Sequence, residues 1–274
     1  CTAVHIGGGE PLLRLQKLSA VLEVAAAVGV DVDYVETNSS WFKDEDSAVA
    51  ALSQLRKKGL QTLLVSISPF HNEFIPLAKM KGVIDAARKT GIGIFPWVSD
   101  FLGDLSQLDM TGTHSLAEFE ALFGPNYMTQ LPQRYWIHLG GRALKTFRPY
   151  FSKKSAEQIL SENAGSCAAE LQNTGHFHFD LFGNYIPGLC SGLSIKREDL
   201  SRPLATDKYP VLYTLFAKGI GGIFEMAQEA FNYVPAQKRY INKCDLCTEI
   251  RTLFVHNNFG GPAELNPKEF YSNL

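Results

Sequence analysis

Two groups of residues in this chain have the types and spacing to do chemistry. The first is a set of cysteines. Cys167 and Cys190 bracket a stretch in which His and Phe alternate, and Cys244-Asp-Leu-Cys247 follows as a Cys-x2-Cys pair. Such a pair puts two thiolates on one turn, and a hairpin between Cys167 and Cys190 can bring in two more. Four soft sulfur ligands suit an iron–sulfur cluster or a tetrahedral zinc ion. Two disulfides, which need an oxidising compartment, or scattered free thiols are the other readings of these residues. The second group is a strand end. Ala3-Val4-His5-Ile6 stops abruptly on Gly7-Gly8-Gly9-Glu10-Pro11. Glycines there leave backbone bare for a small ligand to approach, and Glu10 supplies a fixed acceptor. In parallel α/β architectures the carboxyl edge of the strands is where ligands bind.

The elements that must position these groups are legible in the periodicity. Strand-like and helix-like stretches alternate through residue 98, the signature of βα units and a parallel sheet. After the opening strand, Arg14 to Val28 carries Leu15, Leu18, Val21, Leu22 and Ala25 at helical spacing and stops at Gly29. Val32 to Glu36 is the next strand and empties into Thr37-Asn38-Ser39-Ser40. A helix over Asp46 to Lys58 has a basic last turn and Gly59 as its stop. Thr62 to Ile67 is rich in Leu and Val, as a buried parallel strand should be. A helix over Leu77 to Lys89 closes at Gly91, and Ile92 to Val98 is the fourth strand. Polar residues stand at the strand exits. Spacing alone does not choose between a barrel and a doubly wound sheet.

Beyond Phe101 the pattern loosens. Thr113 to Phe123 predicts a short helix capped at Thr113 or Ser115. Tyr135 to Leu139 reads as a fifth strand ending in Gly140-Gly141-Arg142, and Ser155 to Asn163 as a helix before a boundary near Gly165. Gly175 to Ile186 predicts a β-hairpin turning at Gly183-Asn184. Tyr209 to Lys218 and Ile223 to Phe231 predict helices with Gly219, Gly221 and Gly222 between them. Cys244 to Val255 opens a last helix, and Phe259 to Leu274 is expected to be irregular.

Bulk properties narrow the function classes. With 45% apolar and 20% charged residues the composition is ordinary for a globular protein. A formal net charge of -2 gives no basic footprint for nucleic acid. No apolar run approaches the ~20 residues that cross a bilayer. Cys1 runs straight into a strand without a flexible linker, so the start reads as that of a truncated or processed chain rather than a lipoprotein.

Several motifs together resemble one family. Gly8-Gly9-Glu10-Pro11 after a strand resembles the Gly-Gly-Glu motif of radical S-adenosylmethionine enzymes, which ends their second barrel strand and binds the methionyl amino group of the cofactor. Thr37-Asn38 stands where that family's third strand often ends in Thr-Asn. Val65-Ser66-Ile67-Ser68 is similar to its Val-Ser-Leu/Ile-Asp, with Ser68 replacing the aspartate, so Ser66 is the better candidate near the ribose. Gly141-Arg142-Ala143 resembles an element common in members with extra clusters. The cysteines resemble the twitch or SPASM extension, in which four of them hold an auxiliary 4Fe–4S cluster; a full SPASM domain needs about seven, so the shorter form fits.

The resemblance implies a partial (β/α)6 TIM-like barrel without its first strand over residues 1–164. A small α+β twitch/SPASM-like extension follows over 165–274. It implies S-adenosylmethionine held by Gly8, Gly9, Glu10, Thr37, Asn38, Ser66 and Ser68, and a cluster on Cys167, Cys190, Cys244 and Cys247. It implies an electron donor such as flavodoxin or ferredoxin, a small-molecule or peptide substrate, no nucleic-acid or membrane partner, and a cytoplasmic setting. The family's Cys-x3-Cys-x2-Cys triplet is absent from these 274 residues. As written, the chain therefore cannot hold the cluster that cleaves the cofactor. The competing reading is a non-catalytic degenerate barrel with a structural zinc, acting as a binding module. A third is a metal-free barrel enzyme using His71 and Glu73 at the third strand's exit. His5 and His138 are expected to be satisfied core histidines, and His176, His178 and Asp180 to be the polar positions of a half-buried strand. Trp41 and Trp97 are expected to cap the barrel.

Overall fold

The computed structural model describes residues 3–97, 99–134, 136–261 and 263–274. They fall into two compact units, Cys1–Tyr127 and Met128–Leu274. In the first, β1 (Ala3–Ile6), β2 (Asp31–Thr37), β3 (Thr62–Ser66) and β4 (Gly93–Trp97) form a parallel sheet in chain order. Helices Leu15–Ala27, Glu45–Lys57 and Leu77–Thr90 connect them, and neighbours among these helices pack side by side. Their ends follow from local chemistry. The Asp44 carboxylate accepts the Ser47 N–H at the start of the second, and Gly91 takes the left-handed conformation (φ 70°) that ends the third.

Strand order without a reversal means that these four strands contain no switch point of the doubly wound kind. Every strand leaves the sheet at the same edge. The buried side chains of Val35, Leu63 and Val65 anchor the sheet in the core. His5 of β1, Tyr34 of β2 and Phe95 of β4 make an aromatic row that reaches over β3, His5 stacked on Tyr34 at 5.0 Å and Tyr34 edge-on to Phe95 at 5.9 Å. Phe95 is 44% exposed, unusual for a parallel sheet, which is ordinarily covered on both faces.

The second unit is mostly helical, with a small antiparallel sheet of β5 (His178–Phe179), β6 (Asn184–Ile186) and β7 (Ile195–Lys196). Its main core gathers Ile159, Leu215, Ile223, Tyr240, Ile250 and Phe254. Ile159 lies ahead of Gly165, so the segment from Met128 onward folds with this unit, and the two compact units divide at Tyr127/Met128. Helix Pro210–Phe231 is continuous except at Gly219, where φ is 64° and ψ -150°. A Cβ at Gly219 would collide with the carbonyl oxygen of Gly165. The break lets the chain ahead of Cys167 lie against the helix, and the Cys167 N–H donates to Leu215 O at 2.9 Å.

Three expectations need correction, while the expected short helix ending at Phe123 is present with Ser115 as its cap. Residues 136–139 form no strand: Trp136 is 65% exposed and no neighbouring strand pairs there, while Tyr135 lies outside the described residues. The loosened region holds three short helices, Phe101–Leu105, Leu116–Phe123 and Tyr127–Arg134; Ser115 caps the second in a reciprocal box with Glu118. The hairpin turns over Asp180–Gly183 rather than at Gly183-Asn184. The Asp180 carboxylate accepts the Phe182 and Asn184 N–H groups, and Asn184 is buried in β6. The tail contains a helical turn, Lys268–Ser272.

The kink makes a paired prediction. Gly219→Ala should lower the stability of the chain by about 2–3 kcal/mol through left-handed strain plus the clash. Gly221→Ala, where a Cβ meets open space inside the helix, should leave it unchanged or raise it by up to ~1 kcal/mol. Urea midpoints of the two variants check this.

Candidate functional site

At the carboxyl edge of the parallel sheet, Glu10 ties two strand exits together. Its Oε1 accepts the Leu12 N–H at 3.1 Å and its Oε2 the Asn38 N–H at 2.7 Å. The Thr37 hydroxyl donates to the same carboxylate, 3.1 and 3.0 Å from its two oxygens. That hydroxyl also accepts the Ser39 N–H and the Trp41 Nε1–H, each at 3.0 Å. One proton given and two lone pairs filled is its full capacity. Burial raises the pKa of Glu10, with the hydrogen bonds from Leu12, Asn38, Thr37 and Ser39 pulling the other way. Beside this knot, Gly8 and Gly9 are exposed, hold φ of 79° and 53°, and have open space where a Cβ would stand. Their backbone is available to a ligand.

The structure thus brings Gly8, Gly9, Glu10, Thr37 and Asn38 together. Thr37 pairs in register with Val65, which places Ser66 one residue further along the same edge. Ser68 is drawn into local structure instead. It is 4% exposed, its hydroxyl stands 2.7 Å from His71 Nδ1, and it caps the turn Pro69–Asn72. Burial lowers the pKa of His71. Trp41 serves Thr37, and the side chain of Trp97 lies outside the described residues.

The cysteines meet in the second unit. Cys167, Cys190, Cys244 and Cys247 all line one cavity of about 310 Å³, and none is in a disulfide. Three local devices put them there. Cys167 stands at the head of helix Ala168–Leu171, held to Leu215; Cys190 sits in a turn after the hairpin, its N–H donating to Pro187 O at 3.1 Å. Cys244 and Cys247 open helix Lys243–His256, which Asn242 caps through the Asp245 N–H. Asp245, itself buried, is held by an ion pair with Arg148 and by the Ile241 N–H. Among the described residues, no three His, Cys, Asp or Glu side chains converge to the spacing of a single ion.

Three cavity residues other than cysteines matter for its electrostatics. Arg251 is 4% exposed and lies three residues plus one helical turn beyond Cys244 on the same helix face. Lys243 lines the cavity and pairs with Glu170. His138 lines it too; it hydrogen-bonds the Leu189 backbone, while its buried Nε2 has no partner among the described residues, so the core histidine expected is half satisfied. Burial pushes the Cys190 thiol up to about 12, with Arg251 acting the opposite way; Cys244, which keeps an exposed side, is raised to about 11 for the same reasons. His176 lines the cavity while His178 sits on β5, their Nε2 atoms 3.2 Å apart, and Asp180 is a turn former.

The recurrence Cys244, Cys247, Arg251, at helical spacing on one face, was in the sequence and is the signal that would have found the arginine. Nothing comparable flagged His138, whose surroundings depend on a loop. The chain matches no protein-family model and shows no significant similarity to any curated protein. Among the described residues no helix is long and apolar enough to cross a membrane.

Two outcomes follow from this geometry. Thr37→Val should cost about 1–3 kcal/mol by stranding the Ser39 and Trp41 donors, whereas Thr37→Ser should be nearly neutral in thermal unfolding. In metal-free, reduced protein at pH 7, Cys190 should react with iodoacetamide at least about tenfold more slowly than a peptide thiol, and faster as pH rises toward its pKa. Peptide mass spectrometry reads the rate.

Proposed function

We propose that the chain is the cofactor-binding barrel section and auxiliary-cluster extension of a radical S-adenosylmethionine enzyme. The observation that carries this reading is the convergence of four cysteines, from three separate stretches of sequence, on one cavity. A cubane cluster offers each thiolate its own iron, so it suits sulfurs spread around a volume. A zinc ion needs all four at about 2.3 Å from one point. The donor set, four sulfurs with a buried cation beside them, suits an anionic cluster.

The parallel sheet supports the other half. Its unreversed strand order and the half-exposed aromatic row suit a section of a singly wound barrel whose inner face carries Tyr34 and Phe95. At its ligand edge, bare Gly8 and Gly9 backbone can approach a small molecule. The Glu10 carboxylate, oriented by Leu12, Thr37 and Asn38, can accept an ammonium group. Ser66, whose hydroxyl has no protein partner among the described residues, can meet a sugar hydroxyl. When bound and reduced, the cofactor would supply a 5′-deoxyadenosyl radical for hydrogen abstraction. The residues named here bind and orient it; the cysteine triplet for its reducing cluster is not among these 274 residues.

Anaerobic reconstitution tests the reading. The chain should turn brown and hold about four iron and four sulfide, and Cys→Ser at any of positions 167, 190, 244 and 247 should abolish this. A colourless protein carrying one zinc would replace the reading with that of a structural binding module. A form bearing the triplet ahead of β1 should hold a second cluster and release 5′-deoxyadenosine from the cofactor.

A further inference from the structure

Among the described residues, Arg251 is a buried cation with no counterion. Its Nη1 donates to Ser191 O at 2.9 Å and to the Tyr271 hydroxyl at 2.8 Å, and its Nη2 to Thr248 Oγ1 at 3.3 Å. Its Nε is buried with no hydrogen-bond partner among the described residues. All the partners are neutral. Tyr271 passes its own proton to Gly192 O, and burial pushes its pKa up to about 12, so it is a phenol at neutral pH. The buried carboxylate Glu264 accepts the Val211, Leu212 and Gly261 N–H groups and forms no ion pair with Arg251. The other cavity cation, Lys243, already has Glu170.

A guanidinium cannot shed its proton in a protein. Left uncompensated at this depth it costs several kcal/mol. The wall it lines contains the four cysteines. As thiols they are neutral: Cys247 reaches the guanidinium by a side-chain hydrogen bond but brings it no charge. Four thiolates around a cubane core with two positive charges form a dianion, which is the missing counter-charge. We propose that Arg251 is the charge-compensating residue of this thiolate-held cluster, a positioning residue that stabilises the loaded site and makes the cluster easier to reduce. Adding an electron makes the dianion more negative, so a fixed neighbouring cation favours the reduced state more than the oxidised one. This inference rests on the cluster reading above.

Arg251→Met, close in volume and uncharged, separates the roles. In the apo chain the substitution should leave the urea midpoint unchanged or raise it, because a buried unpaired charge is removed. In the reconstituted chain it should lower the midpoint and shift the one-electron reduction equilibrium toward the oxidised form by at least about tenfold, ~59 mV more negative. Arg251→Lys should keep most of the wild-type potential. Potentiometric titration followed by electron paramagnetic resonance reads the shift. If wild-type protein takes up no iron and sulfide, the cluster reading itself fails. If wild type and Arg251→Met both load and share one potential, only the charge proposal is overturned. An apo Arg251→Met chain that loses stability or fails to fold would make the arginine a structural strut and also overturn it.

Discussion

Helix Pro210–Phe231 breaks at Gly219 because the Gly165 carbonyl occupies the place where any Cβ would stand, and that close approach carries Cys167 to the cavity wall. Only glycine tolerates both the crowding and the positive φ. The rest of the cysteine site is assembled around this contact. The N-terminal half of the helix accepts the Cys167 N–H through Leu215 O, its C-terminal half packs on helix Lys243–His256, and that helix presents Cys244, Cys247 and Arg251 on one face. Glu264 holds the helix's first turn through the Val211 and Leu212 N–H groups and ties in the loop through the Gly261 N–H, a buried carboxylate set against the positive end of the helix dipole.

The two candidate sites treat buried charge in opposite ways. Glu10 is saturated by donors from its own chain, so its carboxylate is oriented before any ligand arrives. Preorganisation of this kind lowers the ordering cost of binding. Arg251 is surrounded by neutral acceptors and has no matching anion among the described residues. A finished knot beside exposed glycine backbone suits recognition of a small molecule, whereas an unbalanced cation suits a wall that encloses a charged group.

Much of the first unit was legible because its signals are local. Leucine and valine runs of strand length, helices stopped by Gly29, Gly59 and Gly91, and polar strand exits all act within a few residues, and the observed boundaries fall within one or two of those read. The Ser115 cap and the helix after Ser155 were legible for the same reason. The failures share a different cause. The run from Tyr135 to Leu139 has strand composition, but a strand exists only where another pairs with it, and pairing is not a local property. The hairpin turn centres two residues earlier than read because the Asp180 side chain, not the Gly-Asn pair, organises the loop.

By itself, the sequence determined the βα alternation, the strand-end residues and the presence of four cysteines able to share a task. It placed Cys244 and Cys247 on one helical turn, since helix geometry is set by spacing alone. Only the tertiary structure decided that Thr37 rather than water completes the Glu10 carboxylate, because those residues meet through parallel strand pairing across 27 positions. It also decided that Cys167 and Cys190 join the other two around one cavity with an arginine that has no ion-pair partner among the described residues. Burial and the absence of a counterion belong to the packed molecule, where distant segments exclude water from a charge that any local reading would leave solvated.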